Sequence, residues 1–441
     1  MKRRRWLVGL LACSLMLLTG CFSLNSDDFY ALPKRSQQNS DLQSAVERAM
    51  GSGEYSAPVS GSNRQAVQQA DLDGDGKKEA LVFCKQMSAE HPLKVLILKQ
   101  ASDSYRLIST IEGDGTAFDS VQYAQIDGLP GMELLLSRRI GEQVQQYLTV
   151  YRLTDGAVTE LMSSRYSASA VTDLDADGLS DVFILLSNAD GPTGYADLYR
   201  YRDGAMQKDA EASLSGSAES VKRILTGSVA EGVPAVYVAS AFDESHLITD
   251  VFALRGDVFT NISQNAESGQ SSETVRNYYV YSSDIDNDGV IEIPGTVPLA
   301  ELPADDSSTG QYRIVWYNLN VDGVRSDKMS TYHNFAEGWF FYLPDAWCQS
   351  LAVSKVPMGD RQSGTRFSVV SEDGSVNPLL TVAAFTGEDA AQRIREAGFL
   401  PLANRGETSY AALIAEGTDL TEEDLKARFS FIAPDLLPES N

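Results

Sequence analysis

The sequence predicts a mainly β protein in which one four-stranded unit repeats five times, followed by a small α+β domain. Two observations carry this prediction. An acidic loop motif recurs about every fifty residues, and runs of β-branched and aromatic residues punctuated by Gly, Asp and Ser flank its copies. Five such units over residues 61–334 favour radial repetition in a five-bladed β-propeller, because a single β-sandwich has only about 100 residues.

The loop motif has acids at positions 1, 3, 5 and 9 and a glycine at position 6. Its three full copies contain Asp71, Asp73, Asp75, Gly76 and Glu79; Asp173, Asp175, Asp177, Gly178 and Asp181; and Asp284, Asp286, Asp288, Gly289 and Glu292. Two eroded copies lie between them. Gln125–Glu133 keeps acids at positions 3 and 9, and Thr226–Pro234 keeps only the shape of the loop.

Strands are predicted on both sides of each loop. For the first unit they are Ala66–Leu72, Glu79–Lys85, Leu93–Gln100 and Tyr105–Glu112, and for the third they are Ser169–Leu174, Asp181–Ser187, Tyr195–Arg202 and Met206–Leu214. The acidic loop therefore joins the first and second strands of a unit. The longer loops between second and third strands then lie at the opposite end: Gln86–Pro92, Arg138–Gln145, Asn188–Gly194, Phe242–His246 and Ala300–Gly310.

This arrangement resembles the FG-GAP or VCBS repeat, the blade of integrin α-like propellers. The resemblance implies a β-propeller with Ca²⁺ bound in the turn between the first and second strands of a blade, and ligands bound on the face away from that ion.

Calcium is also the ion that the loop chemistry favours, because alternating carboxylates on a tight turn supply the hard oxygen ligands that Ca²⁺ requires. An EF-hand is opposed by Val82, Ile184 and Gly295 at loop position 12, where that motif needs a bidentate Glu, and by flanks that read as strands. The remaining alternative is a solvated acidic turn without an ion. We expect up to three structural Ca²⁺ ions.

The N-terminus predicts export and a lipid anchor. Four basic residues at 2–5 precede an uncharged run, Trp6–Leu18, which is too short to span a bilayer and is typical of a secretory signal. Leu18-Thr19-Gly20-Cys21 resembles the bacterial lipobox, which makes Cys21 the lipidated first residue of the mature chain. The alternative is an ordinary signal peptide that ends in a cysteine. We expect a lipid-anchored protein on the extracytoplasmic face of a membrane, at the cell surface or in the periplasm.

The net charge limits the kinds of molecule that the protein can bind, and the cysteine content predicts the state of its thiols. Residues 1–20 carry four basic and no acidic residues, so their removal changes the formal net charge from −25 to −29. Such an acidic chain argues against nucleic acid, because phosphate contacts need Lys and Arg patches. After lipidation only Cys84 and Cys348 remain, and we expect them to be buried free thiols.

Two further segments complete the predicted organisation. Residues 21–60 are a polar tether with a short amphipathic helix at Asp41–Met50. Residues 335–441 form the α+β domain, whose opening Gly338–Trp347 resembles PsbP/MOG1-like domains without implying a function. Its predicted strands are Trp339–Leu343, Leu351–Val356, Thr365–Ser371, Leu379–Phe385 and Thr408–Ala415, and its predicted helices are Glu388–Ala397 and Glu422–Phe429.

The sequence contains no catalytic motif that defines an enzyme. His91, His246 and His333 stand in unrelated contexts, and neither a nucleophile elbow nor a phosphate-binding glycine loop is present. We therefore expect a binding or adhesion module for an envelope or extracellular protein or a glycan. The alternatives are a carbohydrate-active enzyme, a glycoside hydrolase or polysaccharide lyase, and a structural partner in an envelope complex.

The anchor gives the first prediction. Cys21→Ser removes the thiol that takes the lipid, so the variant is expected to appear in the soluble fraction or to remain unprocessed. Membrane fractionation and labelled-lipid incorporation measure this, with Cys84→Ser as the matched control that keeps both signals. A Cys21→Ser chain that still incorporates lipid would contradict the lipobox interpretation.

Overall fold

A computed structural model describes residues 37–102, 104–141, 146–277, 280–302 and 306–433 of the chain. The predicted signal peptide and Cys21 lie outside these residues. The protein is mainly β, with antiparallel sheets and three α-helices in the described part of the chain. None of the helices in these ranges has the length and apolar character needed to cross a membrane.

The first four repeat units each form an antiparallel sheet whose strands follow one another in chain order. Sheet 1 contains β1 (Glu54–Tyr55), β2 (Val67–Ala70), β3 (Glu79–Lys85), β4 (Leu93–Ala101) and β5 (Ser104–Gly113), with β1 and β2 both paired to β3. Sheet 2 contains β6 (Ala117–Ala124), β7 (Glu133–Arg139), β8 (Gln146–Thr154) and β9 (Ala157–Tyr166). Sheet 3 contains β10 (Ala168–Thr172), β11 (Asp181–Ser187), β12 (Gly194–Arg202) and β13 (Ala205–Ser213). Sheet 4 contains β14 (Val221–Ala230), β15 (Val233–Ala241), β16 (Leu247–Arg255) and β17 (Val258–Asn261).

The remaining strands form two sheets. Sheet 5 has the order β18 (Ile293–Pro298), β19 (Tyr312–Leu319), β20 (Arg325–Asn334), β21 (Trp339–Tyr342) and β27 (Phe429–Phe431). The C-terminal sheet has the order β22 (Leu351–Val356), β23 (Gln362–Val370), β24 (Val376–Thr386), β26 (Thr408–Ile414) and β25 (Leu400–Arg405). Helices α1 (Gln37–Met50), α2 (Ala390–Glu396) and α3 (Glu422–Arg428) complete the fold.

Sheets 1 to 5 pack face to face in chain order, and the second strand of each sheet shows why. Successive side chains of a strand point to opposite faces. In β3, Leu81 and Phe83 pack against sheet 2, whereas Ala80 and Val82 pack against helix α1. The second strands of sheets 2, 3 and 4 divide their side chains between two neighbouring sheets in the same way. These strands therefore read as continuous apolar runs, because both of their faces are buried.

Different elements cover the two ends of this stack. Helix α1 places Ala45 and Val46 on the outer face of sheet 1, which confirms the predicted amphipathic helix and extends it to Gln37. On the outer face of sheet 5, Ile314, Trp316 and Phe340 of the sheet pack against Val280, Ile285 and Ile432. A closed propeller would bring the first and last sheets together, whereas the outer faces of sheets 1 and 5 are covered here by different elements. Closure of the five sheets into a propeller therefore stays a prediction.

The chain after Phe335 is joined to sheet 5 by backbone hydrogen bonds. Strand β21 pairs with β20, and β27 pairs with β21. Trp339 and Phe341 are fully buried in the core that sheet 5 shares with the C-terminal sheet. The aromatic run that begins at Trp339 is therefore core.

Several predicted elements match the structure closely. The predicted bounds of β3, β11 and β22 are those observed, and Thr421 and Asp424 form a capping box at the start of α3. Three short strands, β1, β25 and β27, were not predicted. At Thr226–Pro234 the structure has no nine-residue loop: β14 runs to Ala230 and pairs with Val233 across a two-residue turn. This copy lacks the motif acids that converge on one point in the full loops. Nothing therefore bends the chain into a loop, and β14 continues into the hairpin.

His333 in β20 is a partly buried titratable residue with an unusual aromatic environment. Its ring stacks on Phe340 with 5.0 Å between ring centroids, and it lies near Trp316 and Phe335. Both ring nitrogens are buried without a hydrogen-bond partner among the described residues. Burial lowers the pKa of His333 from its ordinary value of 6.5 to about 3.

This environment predicts a pH dependence of stability. Below pH 6.5 the unfolded chain protonates His333 and the folded chain does not, so the free energy of unfolding falls by about 1.4 kcal/mol per pH unit towards pH 3. His333→Phe is expected to flatten this part of the profile, measured by urea unfolding between pH 4 and 8. The control His91→Asn removes an exposed histidine and should not flatten it. An identical slope in His333→Phe and wild type would contradict the assignment.

Candidate metal sites

The acidic loops line up at one end of the sheet stack. We name them loop 1 (Asp71–Glu79), loop 2 (Gln125–Glu133), loop 3 (Asp173–Asp181) and loop 5 (Asp284–Glu292), and the Ala230–Val233 turn hairpin 4. Backbone hydrogen bonds link neighbours: Met132 N–H donates to Asp71 O at 3.0 Å, Ser180 N–H to Gln125 O at 2.7 Å, and Ile291 N–H to Ser228 O at 2.9 Å. The loops therefore lie side by side at one edge.

The three full loops share one pattern of internal hydrogen bonds. The position-1 carboxylate accepts the N–H of the position-6 glycine at 2.8–3.0 Å, as Asp71 does from Gly76. The position-5 carboxylate accepts the N–H of position 7 at 2.8 Å. The position-9 carboxylate accepts the N–H of position 2 at 2.9–3.0 Å, as Glu79 does from Leu72. The position-1 acid uses both of its oxygens to accept backbone N–H groups of the turn, and the acids at positions 5 and 9 use one each.

Two positions in each loop adopt left-handed backbone conformations. The glycine at position 6 does so in all three full loops, at φ between 83° and 91°. Position 4 does so as well, with Gly74 at 72°, Ala176 at 58° and Asn287 at 60°. Alanine rarely adopts this conformation, so the loop geometry at Ala176 is maintained by its surroundings. The sequence pattern indicated only the first of these positions.

The structure brings together three of the four predicted acids in each full loop. The groups are Asp71, Asp73 and Glu79; Asp173, Asp175 and Asp181; and Asp284, Asp286 and Glu292, and in each the ligand oxygens lie within 4.8 Å of one another. The position-5 acids Asp75, Asp177 and Asp288 do not belong to these groups. Clusters of hard oxygens at this spacing are suited to a metal ion such as Ca²⁺.

The position-9 acids are the buried members of the clusters. Glu292 and Glu79 are fully buried, and Asp181 is nearly so. Burial, reinforced by the nearby loop carboxylates, raises the pKa values of Asp181 and Glu292 to about 7. Burial also raises the pKa of Glu79. A bound cation would stabilise the ionised form of each acid, which is how metal binding is coupled to deprotonation.

Sequence reasoning missed the basic side chains that reach into these loops. Lys99 of β4 contacts Asp73 and lies 2.8 Å from Asp75 and 3.6 Å from Glu79. Its carboxylate partners raise the pKa of Lys99 well above the ordinary value. In loop 2, Arg152 of β8 contacts Asp127 and lies 3.3 Å from Glu133. In loop 3, Arg200 of β12 lies 3.6 Å from Asp175 and 3.7 Å from Asp181.

The two predicted free thiols lie apart from these loops. Cys84 is buried in sheet 1 and Cys348 is partly buried, and neither forms a disulfide. Burial raises the pKa of the Cys84 thiol, which keeps it protonated and unreactive.

Comparisons with known proteins give only distant likenesses. No known family and no curated protein matches the chain. Among solved structures, an exotype rhamnogalacturonan lyase, YesX, is 12% identical, with a TM-score of 0.26, 71% of this chain covered and 61% of the lyase. A rhamnogalacturonan lyase from Bacillus licheniformis is 11% identical, with a TM-score of 0.30 and coverage of 81% and 92%. Sqt1 from Chaetomium thermophilum is 12% identical, with a TM-score of 0.31 and coverage of 72% and 82%. At these TM-scores the likenesses assign neither a fold nor an activity.

The clusters predict a response to metal. Calcium that binds only the folded chain stabilises it by about 2.7 kcal/mol at a hundredfold excess over Kd, so Tm is expected to rise by a few degrees on calcium addition and to fall with chelator. Differential scanning calorimetry at constant ionic strength measures the shift, with sodium chloride and magnesium as controls. Equal Tm values in calcium and in chelator would contradict a structural metal.

Proposed function

We propose that this chain is an extracytoplasmic lipoprotein, anchored through Cys21, that serves as a calcium-stabilised binding or adhesion module. In this proposal its five repeat sheets are blades of an FG-GAP/VCBS-like β-propeller at residues 61–334, and Ca²⁺ ions bind in up to three of the acidic loops. The ligand is a protein or glycan of the envelope or of the exterior of the cell.

The observation that carries the proposal is the contrast between the two ends of the sheets. At one end, loops 1, 3 and 5 repeat the same hydrogen bonds, which is typical of a scaffold. At the other end, the loops between second and third strands differ in length and sequence, as recognition loops do. Within the described residues, two of these loops expose large apolar side chains: Met87 is 77% exposed and Phe242 is 46% exposed.

Charge supports the choice of partner. The formal net charge of −25 disfavours nucleic acid and anionic lipid headgroups as ligands. His91 and His246 lie in the variable loops, and the Nδ1 atom of each is 2.8 Å from an aspartate oxygen. The end of the sheets that carries the variable loops is therefore partly polar. Exposed apolar groups beside hydrogen-bonding groups suit a protein surface or a sugar ring.

The alternative function is that of a carbohydrate-active enzyme. Two of the similar structures are rhamnogalacturonan lyases, but their TM-scores of 0.26 and 0.30 carry no argument about activity. Unsaturated product from rhamnogalacturonan, detected by ultraviolet absorbance with the full-length chain and calcium, would favour the enzyme over the binding module.

The binding surface is tested with matched variants at the two ends. Glycan arrays and pull-downs from envelope extracts with the full-length chain identify a ligand, whose Kd is then measured for Met87→Ala/Phe242→Ala. The double variant is expected to weaken binding at least about tenfold without lowering Tm, because both side chains are exposed. Leu129→Ala, an equally exposed change in loop 2, is the control. Loss of binding only in Leu129→Ala would place the ligand at the acidic end and contradict the proposal.

A further inference from the structure

One position of the third strand lies opposite the acid that closes each loop. The strand register pairs Ala80 with Leu98, so Lys99 lies opposite Glu79. The same register places Arg152 opposite Glu133 in sheet 2 and Arg200 opposite Asp181 in sheet 3. We call this the facing position.

The facing residues of sheets 1 to 3 carry a positive charge into their own loops. The ammonium of Lys99 is shared by three carboxylates of loop 1, two of them at hydrogen-bond distance. Arg152 makes the corresponding contacts with Asp127 and Glu133, the two acids that loop 2 retains. Arg200 approaches loop 3 at 3.6–3.7 Å and also pairs with Asp209 at 3.1 Å.

Sheets 4 and 5 differ from this pattern in opposite ways. Pro234 of sheet 4 is opposite Leu254, so hairpin 4 has neither the acid nor the cation. Glu292 of sheet 5 is opposite Asn318, so loop 5 keeps all four acids and faces a neutral side chain. Among the ion pairs of the described residues, no basic side chain contacts Asp284, Asp286 or Glu292.

Loop 5 also contains buried polar atoms that lack partners. The Oε1 atom of Glu292, which is fully buried, has no hydrogen-bond partner in the described structure. The equivalent Oε1 atom of Glu79 in loop 1 also lacks one, but the Nζ atom of Lys99 lies 3.6 Å from it. The Oδ1 atom of Asn318, a residue only 8% exposed, likewise has none. Unpartnered buried acceptors destabilise the folded chain, and both are oxygen atoms of the kind that Ca²⁺ coordinates. Asn318 lies outside the acidic cluster, so its unpartnered oxygen is a separate observation that indicates a cation ligand.

We infer that the repeat neutralises its loops in two ways: Lys99, Arg152 and Arg200 are built-in cations that replace the metal in loops 1 to 3, and loop 5 alone binds a divalent cation, for which calcium is the best fit. The inference rests on the proposed use of calcium and assigns it to one site. A fixed charge among the carboxylates both fills the space of the ion and repels it. Asn318, in contrast, offers an oxygen and no charge.

The number of bound ions tests this assignment. Isothermal titration calorimetry of the full-length chain in detergent is expected to give one calcium ion per chain. Lys99→Asn, which copies loop 5 into loop 1, should raise the number to two and make the metal-free Tm fall. Asn318→Lys, which copies loop 1 into loop 5, should abolish binding. Lys94→Asn, which removes a lysine of the same strand that pairs with Glu112 outside the acidic loops, is the matched control and should leave one ion bound.

A second pair of variants keeps the test decisive where Asn318→Lys does not fold. Asp286→Asn and Asp73→Asn change the same motif position in loops 5 and 1. The first is expected to weaken calcium binding at least about tenfold, and the second to leave it unchanged. Three results would overturn the assignment of Lys99, Arg152 and Arg200 as built-in cations. They are an equal loss of calcium affinity in Asp286→Asn and Asp73→Asn, the loss of a bound ion in Asp175→Asn, and an unchanged number of bound ions in Lys99→Asn. A wild-type chain that binds no calcium would instead overturn the calcium proposal itself and the assignment of loop 5.

Discussion

The burial of both faces of each repeat sheet is the constraint on which the rest of the structure depends. A four-stranded antiparallel sheet with two apolar faces is stable only when both are covered. Here the second strands supply alternate side chains to the two neighbouring cores, so each sheet is held by the sheets before and after it. At the ends of the stack, α1 and the residues Val280, Ile285 and Ile432 provide the missing cover.

Face-to-face packing also creates the electrostatic problem at the acidic edge. Because the sheets are stacked in register, their first loops become neighbours linked by backbone hydrogen bonds. Carboxylates that would be solvated on a lone hairpin are crowded and partly buried, with Glu79, Glu133 and Glu292 almost inaccessible to solvent. Positive charge is required there, and the third strand of each sheet is the nearest element that can supply it. The proposed division between side-chain cations and a metal follows from which residue that strand carries.

In the proposed function, the two ends of the sheets therefore have different roles. The acidic end is bound by shared geometry, because each loop must fit its neighbour; Gly74, for example, lies so close to Pro130 that a Cβ atom would be only 2.4 Å away. The opposite end has no such common geometry, and its loops are free to vary. Recognition at the variable end and stability at the acidic end are then separable by mutation.

The sequence by itself determined the period, the loop chemistry and most strand positions. Local patterns decide these features: the run Glu79–Lys85 is a strand because seven consecutive side chains alternate between two buried faces, and Asp71 to Glu79 form a turn through contacts within nine residues. The sequence also indicated the free cysteines and the amphipathic helix at the N-terminal end of the stack.

Only the tertiary structure decided which residues complete the loops. Lys99 lies 20 residues after Glu79, and its place in loop 1 depends on the register between β3 and β4. The C-terminal extension of sheet 5 depends on pairing between β21 and β27, which are nearly ninety residues apart. Hydrophobic periodicity reports which side chains are buried and not which strand lies beside them, so long-range pairing had to come from the folded chain.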